Sequence, residues 1–221
     1  MGLLDRLFRK KSKESSVQPI SKTPARIDKT PDYPIPFGHN TTWYAIKDVT
    51  PQEVIEKLEL DLICESNWES GLAYVHFSDD VFVSPGVGGY VLVIDLLGLT
   101  RNADHDMVRE HGRLFDEFFY FGSHTVADYY AWAKFKNGNL IRAYAFIGDA
   151  GELFWNEGSI TAEEMQLGFD QFPVSDEPFE DDAVIPDEEN VMDIASAWSI
   201  NPSFDGANLE KSTGYICRLK S

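Results

Sequence analysis

The sequence contains little cysteine and no long apolar run. Its two cysteines, Cys64 and Cys217, lie far apart and lack the close spacing of a metal-binding pair. No run approaches the roughly 20 apolar residues that span a bilayer. Without a signal peptide, we expect two buried thiols in a reducing cytoplasm rather than a disulfide-bonded secreted domain.

Basic residues are missing from a long part of the chain. No Lys or Arg lies between Arg142 and Lys211, whereas acids recur throughout this stretch. The formal net charge is -18 at pH 7, although residues 1–30 contain eight Lys or Arg and three acids. A basic tail therefore precedes an acidic body. Such a body repels nucleic-acid phosphate and attracts basic proteins, so we expect a basic protein partner and no nucleic acid.

Motifs of catalysis and cofactor binding are also missing. The chain has neither an HExxH sequence nor the glycine-flanked serine of a nucleophile elbow. The glycine-rich stretch at residues 86–89 is not followed by the Lys-Ser/Thr of a phosphate-binding loop, so we interpret it as a β-turn. The acids of residues 170–190 do not follow the spacing of a calcium-binding EF-hand. We therefore expect no cofactor and no metal site.

The first 13 residues are predicted to form an amphipathic basic segment. In a helix, its apolar residues would share one side, with basic residues around the rest, a pattern typical of an anchor on an anionic membrane surface. The residues of this predicted anchor are Leu3, Leu4, Leu7, Phe8, Arg9, Lys10 and Lys11. The alternatives are a frayed basic tail or a peptide that docks on the acidic body. Residues 14–40 are predicted to be a flexible Pro-rich linker, and residues 41–221 a single acidic domain.

The core of that domain is predicted from a hairpin over residues 129–147. Asn137-Gly138 is typical of a two-residue type I′ turn, because both central positions of that turn need positive φ. Regular pairing from this turn places Phe135 opposite Leu140 and Ala133 opposite Arg142. Both faces of the hairpin are largely apolar, so we expect it at the centre of the sheet.

Other elements follow from caps and periodicity. Helices are predicted to begin at Thr50, Thr161 and Asp187, each in a capping position, and an apolar stripe predicts another over residues 104–117. Strands are predicted at residues 71–77, 81–83, 90–96, 152–155 and 215–219. The chain is thus expected to be an α+β protein, with a mainly antiparallel twisted sheet around a central hairpin and three to four helices packed on it.

Three residues are candidates for a ligand-binding or catalytic site. His124 lies in a Gly-Ser-His loop, and Asp128, four residues later, is placed to orient it. Arg142 lies inside a predicted strand, where its charge needs a carboxylate, an aromatic ring or an anionic ligand; Asp128 and Glu152 are the possible structural partners. If His124, Asp128 and Arg142 converged, they would suit a small hydrolase-like enzyme or a ligand-binding domain.

The acidic, proline-interrupted loop over residues 170–190 is the other candidate site. Its acids are predicted to face a partner, and they are Asp176, Glu177, Glu180, Asp181 and Asp182. In size, charge and organisation the chain over residues 43–221 resembles the immunity proteins of bacterial toxin systems, which sequester basic nucleases and other effectors. The pattern Trp132-Ala133, Arg142-Ala143-Tyr144 and Thr161-Ala162-Glu163-Glu164 is also similar to that of uncharacterised bacterial proteins. The resemblance implies a non-enzymatic protein-binding module. Together with the cysteine content and the pattern of residues 1–13, we expect a cytoplasmic protein with peripheral membrane contact through those residues.

Overall fold

One open sheet forms the body of the protein. The computed structural model describes residues 27–95, 105–148, 152–175, 184–205 and 209–219. The nine strands are β1 (Thr42–Lys47), β2 (Asp61–Asn67), β3 (Val81–Val83), β4 (Tyr90–Asp95), β5 (Glu117–His124), β6 (Tyr129–Lys136), β7 (Asn139–Ile147), β8 (Glu152–Glu157) and β9 (Thr213–Arg218). They lie in the order β2-β9-β3-β4-β1-β5-β6-β7-β8. Every neighbouring pair is antiparallel.

Helices cover both faces of this sheet, which makes the fold α+β. The described residues form five α-helices, more than the three to four expected, and two 3-10 helices at Thr125–Ala127 and Phe169–Gln171. The α-helices are α1 (Pro51–Lys57), α2 (Trp68–Val75), α3 (His105–Gly112), α4 (Ala162–Gln166) and α5 (Glu188–Trp198). None of the helices in these residues is long and apolar enough to cross a membrane.

Each face of the sheet has its own core. The tyrosine face is named for Tyr44, Tyr120 and Tyr129, and α1 and α3 pack on it. The tryptophan face is named for Trp43, Trp68, Trp132 and Trp198, and α2, α5 and the second 3-10 helix cover it. Nearly every residue in the middle strands is therefore buried. This explains why the sequence of the hairpin is apolar on both of its faces.

The hairpin is present, but it is not in the middle of the sheet. Asn137 and Gly138 have φ of 49° and 71°, as a two-residue turn between β6 and β7 requires. The middle position of the nine belongs to β1, and the hairpin lies between β5 and β8. The helix caps are found where the sequence predicts them, since Thr50, Thr161 and Asp187 each form a capping box.

A β-bulge changes the predicted register of the hairpin. Phe135 does pair with Leu140, but the next pair is Lys134 with Arg142, so Ile141 is an extra residue on β7. Ala133 consequently lies opposite Ala143 rather than Arg142. Because successive side chains alternate between faces, the bulge moves Arg142 from the predicted tyrosine-face position to the tryptophan face.

The strand predicted at residues 71–77 is wrong. These residues belong largely to α2, whose start is stabilised by two side chains. The Asn67 side chain accepts from the Ser70 N–H at 2.9 Å, and Asp32 accepts from the Trp68 N–H at 2.7 Å. Gly71 packs directly against the Phe82 ring, where a side chain would not fit. Capping and packing therefore outweigh the strand preference of this aromatic and β-branched stretch.

The predicted linker is also wrong for its last residues. Residues 27–40 lie against the body: the Asp28 carbonyl accepts from the Asn67 N–H at 2.8 Å, and the Phe37 ring packs edge-on against Trp43 at 5.5 Å. The apolar residues between the prolines thus belong to the tryptophan face. Residues 1–26, which include the predicted membrane anchor, lie outside the described residues.

Candidate protein-binding surface

Arg142 is buried and bonded on several sides. Its Nε donates to the two carboxylate oxygens of Glu164 at 3.0 and 3.2 Å. Its Nη1 donates to Asn156 Oδ1 at 2.6 Å and to the Ala143 carbonyl at 2.9 Å. A structural ion pair was one of the two interpretations of Arg142, but the partner is Glu164 and not Asp128 or Glu152. The guanidinium is thus occupied by protein groups rather than presented to a ligand.

Glu164 joins the first turn of α4 to the sheet. Its side chain is fully buried and accepts from Trp132 Nε1 at 2.8 Å as well as from Arg142. Its second oxygen accepts from the Thr161 N–H at 2.8 Å, as in a capping box. A buried carboxylate is tolerated only where donors surround it, and here two side chains and a helix N-terminus supply them.

Aromatic rings form the floor beneath this ion pair. Trp132 stacks on Tyr144 with centroids 4.8 Å apart and planes at 17°. Phe169 packs on Trp132 at 5.3 Å, and Phe172 packs on Phe169 at 4.8 Å. The segment after α4 is therefore fixed to the sheet by both polar and aromatic contacts.

Several exposed apolar side chains belong to residues close to this network in the sequence, and we call them the α4 surface. Its members are between 37% and 71% exposed, and they are Ile141, Ile160, Met165, Leu167 and Val174. Ile141 and Met165 adjoin Arg142 and Glu164, and Ile160 adjoins Thr161. The Val174 carbonyl accepts from Asn156 Nδ2 at 2.9 Å. Their exposure beside a rigidly held segment makes them candidates for an interaction site.

Acidic residues lie in the same segment as the α4 surface. Glu163 pairs with Lys134 at 3.2 Å, whereas Asp170 is exposed. The predicted partner-facing acids Asp176, Glu177, Glu180, Asp181 and Asp182 begin two residues after Val174 and lie outside the described residues. Residues 152–205 contain no Lys, Arg or His. The described residues among them that follow β8 pack as a layer on this part of the tryptophan face.

The start of α5 continues this acidic layer. Asp187, Glu189 and Asp193 are exposed, and Glu189 and Asp193 lie one helical turn apart. Glu188 points inward: it accepts from the Asn40 N–H at 2.7 Å and Ser123 Oγ at 3.0 Å, and it pairs with His39 at 3.0 Å. Burial alone would raise the pKa of Glu188, but these donors hold it below its usual value.

His124 and Asp128 lie together at one end of the sheet, away from Arg142. His124 ends β5 opposite Tyr129, and its pKa is lowered by burial. Asp128 follows the first 3-10 helix with φ of 45°, and the Tyr130 hydroxyl donates to it at 3.5 Å. Tyr129 pairs with Ile147, five residues from Arg142 along β7, which is about 16 Å at the rise of a strand. The three candidate residues of a hydrolase-like site therefore do not converge.

The sequence did not reveal the buried role of Glu164. The sequence predicts a helix start at Thr161, but it does not show that Glu164 is buried, so nothing marks Glu164 as the partner of Arg142. The exposure of Ile141, Met165 and Leu167 was not predicted either, since isolated apolar residues give no sign of which side they face.

The chain matches no protein-family model, and no curated protein or solved structure shows significant similarity to it. Its function is therefore inferred from its own residues.

Proposed function

We propose that this chain is a non-enzymatic acidic module that binds a basic protein, and that the partner is a basic bacterial toxin held by an immunity-type inhibitor. The main support is the segment that supplies this layer. Residues 152–205 include acidic residues and no basic ones, and all members of the apolar α4 surface except Ile141 belong to this segment. An apolar centre with a charged rim is the usual composition of a protein-binding site.

The distribution of charge favours a basic partner over other ligands. Glu189 and Asp193 repel each other across one turn of α5, because like charges at i and i+4 destabilise a helix. A Lys or Arg from a partner would relieve that repulsion. The wider negative field would also speed the approach of a basic protein and slow that of other acidic proteins.

The rigid support of the α4 surface fits the same function. Arg142, Glu164 and the stacked rings hold this segment in one arrangement before any partner arrives, so little ordering is needed on binding. Preorganised surfaces of this kind retain a partner by slow dissociation.

The test compares two charge variants of the full chain. One neutralises the acidic loop by D176N, E177Q, E180Q, D181N and D182N. The control removes the same charge from exposed residues in or next to α1, β2 and α2 by E56Q, E59Q, D61N, E65Q and E69Q. Both variants and the wild type are used as bait for basic proteins of the native lysate at low and moderate salt, followed by mass spectrometry.

One basic protein bound near stoichiometry by the wild type and the control, but not by the loop variant, is the expected result. This basic protein should associate more slowly with the loop variant than with the wild type, and the association rate should depend less on salt. Equal binding by both variants would remove the loop from the site, and recovery of no specific basic protein would contradict the proposal.

Peripheral membrane contact through residues 1–13 is a separate part of the proposal. Its support is the basic and apolar composition of this segment. Full-length protein should co-sediment with vesicles that contain anionic lipid, and deletion of residues 1–13 should abolish the effect. Full-length protein that stays in the supernatant would end the anchor hypothesis.

A further inference from the structure

We propose that residues 1–13 dock on the α4 surface of the same chain, so that the basic tail occupies the partner site when no partner is present. This inference rests on the proposed function of that surface. The occupant is identified by its chemistry. The surface offers exposed apolar side chains in an acidic segment that includes exposed Asp170 and no basic residue, and residues 1–13 offer Leu3, Leu4, Leu7 and Phe8 with basic residues between and after them. A short amphipathic basic helix is the ligand that such a surface fits.

The first described residues lie on the tryptophan face, as docking of the tail on the α4 surface requires. Ile27 packs on the tryptophan face, and the Asp28 N–H donates to Ser70 Oγ on α2 at 3.0 Å. The α4 surface lies on that same face, beside β7. Strands β9 and β7 are six positions apart in the sheet, which is about 29 Å at the usual strand spacing.

The intervening chain is long enough to cover that distance. Residues 14–26 separate the amphipathic segment from Ile27, and 13 residues span up to about 43 Å when extended. Because the segment is tethered, its effective concentration at the surface is of millimolar order, well above that of another copy in dilute solution. Docking in cis is therefore favoured over docking between copies.

Docking would also order the segment. A helix of three turns is marginal in water, but apolar contacts on one side and acids on the other would stabilise it. The net positive charge of the tail would offset part of the charge on the acidic layer. A basic partner or an anionic membrane would then have to compete with the tail, which raises the affinity needed to bind.

The experiment uses the full chain with Leu7 replaced by the photo-cross-linking residue p-benzoylphenylalanine. Cross-links are mapped by mass spectrometry in dilute solution, and a mixture of isotopically light and heavy chains distinguishes links within a chain from links between chains. The surface variant is M165E with L167E. The matched control is L62E with I63E on edge strand β2, where two apolar residues are also exposed.

We expect cross-links within one chain to residues 158–175. They should fall about tenfold or more in the surface variant, because losing a hot-spot contact of an interface costs more than 1 kcal/mol and a tenfold change corresponds to about 1.4 kcal/mol. They should persist in the control. Raising NaCl from 0.1 to 1 M should also weaken them, because the screening length falls from about 10 to about 3 Å.

Cross-links that map elsewhere on the body, join two chains, or survive in the surface variant would overturn the inference. That failure is distinguishable from failure of the proposed function. A basic protein captured by the wild type and lost with the acidic-loop variant would still support partner binding when no tail contact is found.

Discussion

Arg142 of β7 and Glu164 of α4 form a salt bridge in which the side chains are 6% and 1% exposed, with Nε 3.0 Å from Oε1. The pair links the sheet to the layer that carries the proposed binding surface. Additional hydrogen bonds compensate both charges, so burying the complete pair costs little folding free energy. Removing one partner would leave an uncompensated buried charge and would destabilise the protein strongly.

The substitution E164Q tests this pair, because Gln keeps the capping box but leaves the guanidinium buried without its counter-charge. We expect a loss of about 3 kcal/mol in the free energy of unfolding, measured by urea denaturation. The adjacent control E163Q breaks the half-buried pair with Lys134 and should cost less than about 1 kcal/mol. Equal losses of stability in the two variants would show that the buried Arg142–Glu164 pair is no more important for stability than the more exposed Lys134–Glu163 pair.

Two buried tyrosines should respond oppositely to loss of their hydroxyl. The Tyr144 hydroxyl is buried without a hydrogen-bond partner among the described residues, so Y144F should be neutral or stabilising by up to about 1 kcal/mol. The Tyr120 hydroxyl bonds to that of Tyr129 at 2.8 Å, so Y120F should lose about 1 to 2 kcal/mol. Thermal unfolding of the two variants measures the difference, and a less stable Y144F would contradict the expectation.

The Glu188 network should make stability depend on pH in the acidic range. Because the donors around Glu188 lower its pKa when folded, its contribution is fully present above the ordinary value of 4.5 and is lost as the pH falls below it. Urea denaturation at pH 7 and at several values below pH 4.5 measures the free energy of unfolding. Its decline between pH 7 and the acidic values should be smaller for E188Q than for the wild type. The exposed neighbour variant E189Q should decline like the wild type. Parallel curves for E188Q and the wild type would refute the linkage.

Two glycines should differ sharply in their tolerance of alanine. A Cβ at Gly214, in β9, would overlap the Val83 carbonyl oxygen and approach the Phe82 ring at 2.7 Å. The substitution G214A should therefore cost about 2 kcal/mol, within the range for overpacked sites. Gly86 lies between β3 and β4, and apart from its chain neighbours no heavy atom lies within 4 Å of the position of an added Cβ, so G86A should leave the urea midpoint unchanged or raise it. A stability loss in G86A equal to that in G214A would contradict this steric explanation.

Local signals in the sequence predicted the elements that depend on local contacts. The capping residues Thr50, Thr161 and Asp187 each bond to backbone three residues away, and the Asn137-Gly138 turn needs only its own backbone angles. Such features are determined within a few residues, so they can be recognised without knowing the fold.

The features that were missed depend on distant residues. Strand β2 was not predicted, and among the described strands it pairs with β9, which lies about 150 residues later in the chain. Helix α2 is capped in part by Asp32, more than 30 residues away. The bulge at Ile141 has no recognisable residue pattern, yet it decides which face Arg142 occupies and hence that Glu164 is its partner. Register of this kind is determined by packing across the sheet rather than by local preference.

The position of β9 between β2 and β3 has a consequence for how the protein is made. Every other described strand leaves the ribosome before β9 does, so β2 emerges with no neighbour to pair with and the sheet stays divided until synthesis has passed residue 218. Pairing of such distant segments is slow, because a long loop must close before any contact forms. Until then β2 and the neighbouring edge of β3 lack their partner strand, and unpaired edges of this kind can pair with other chains.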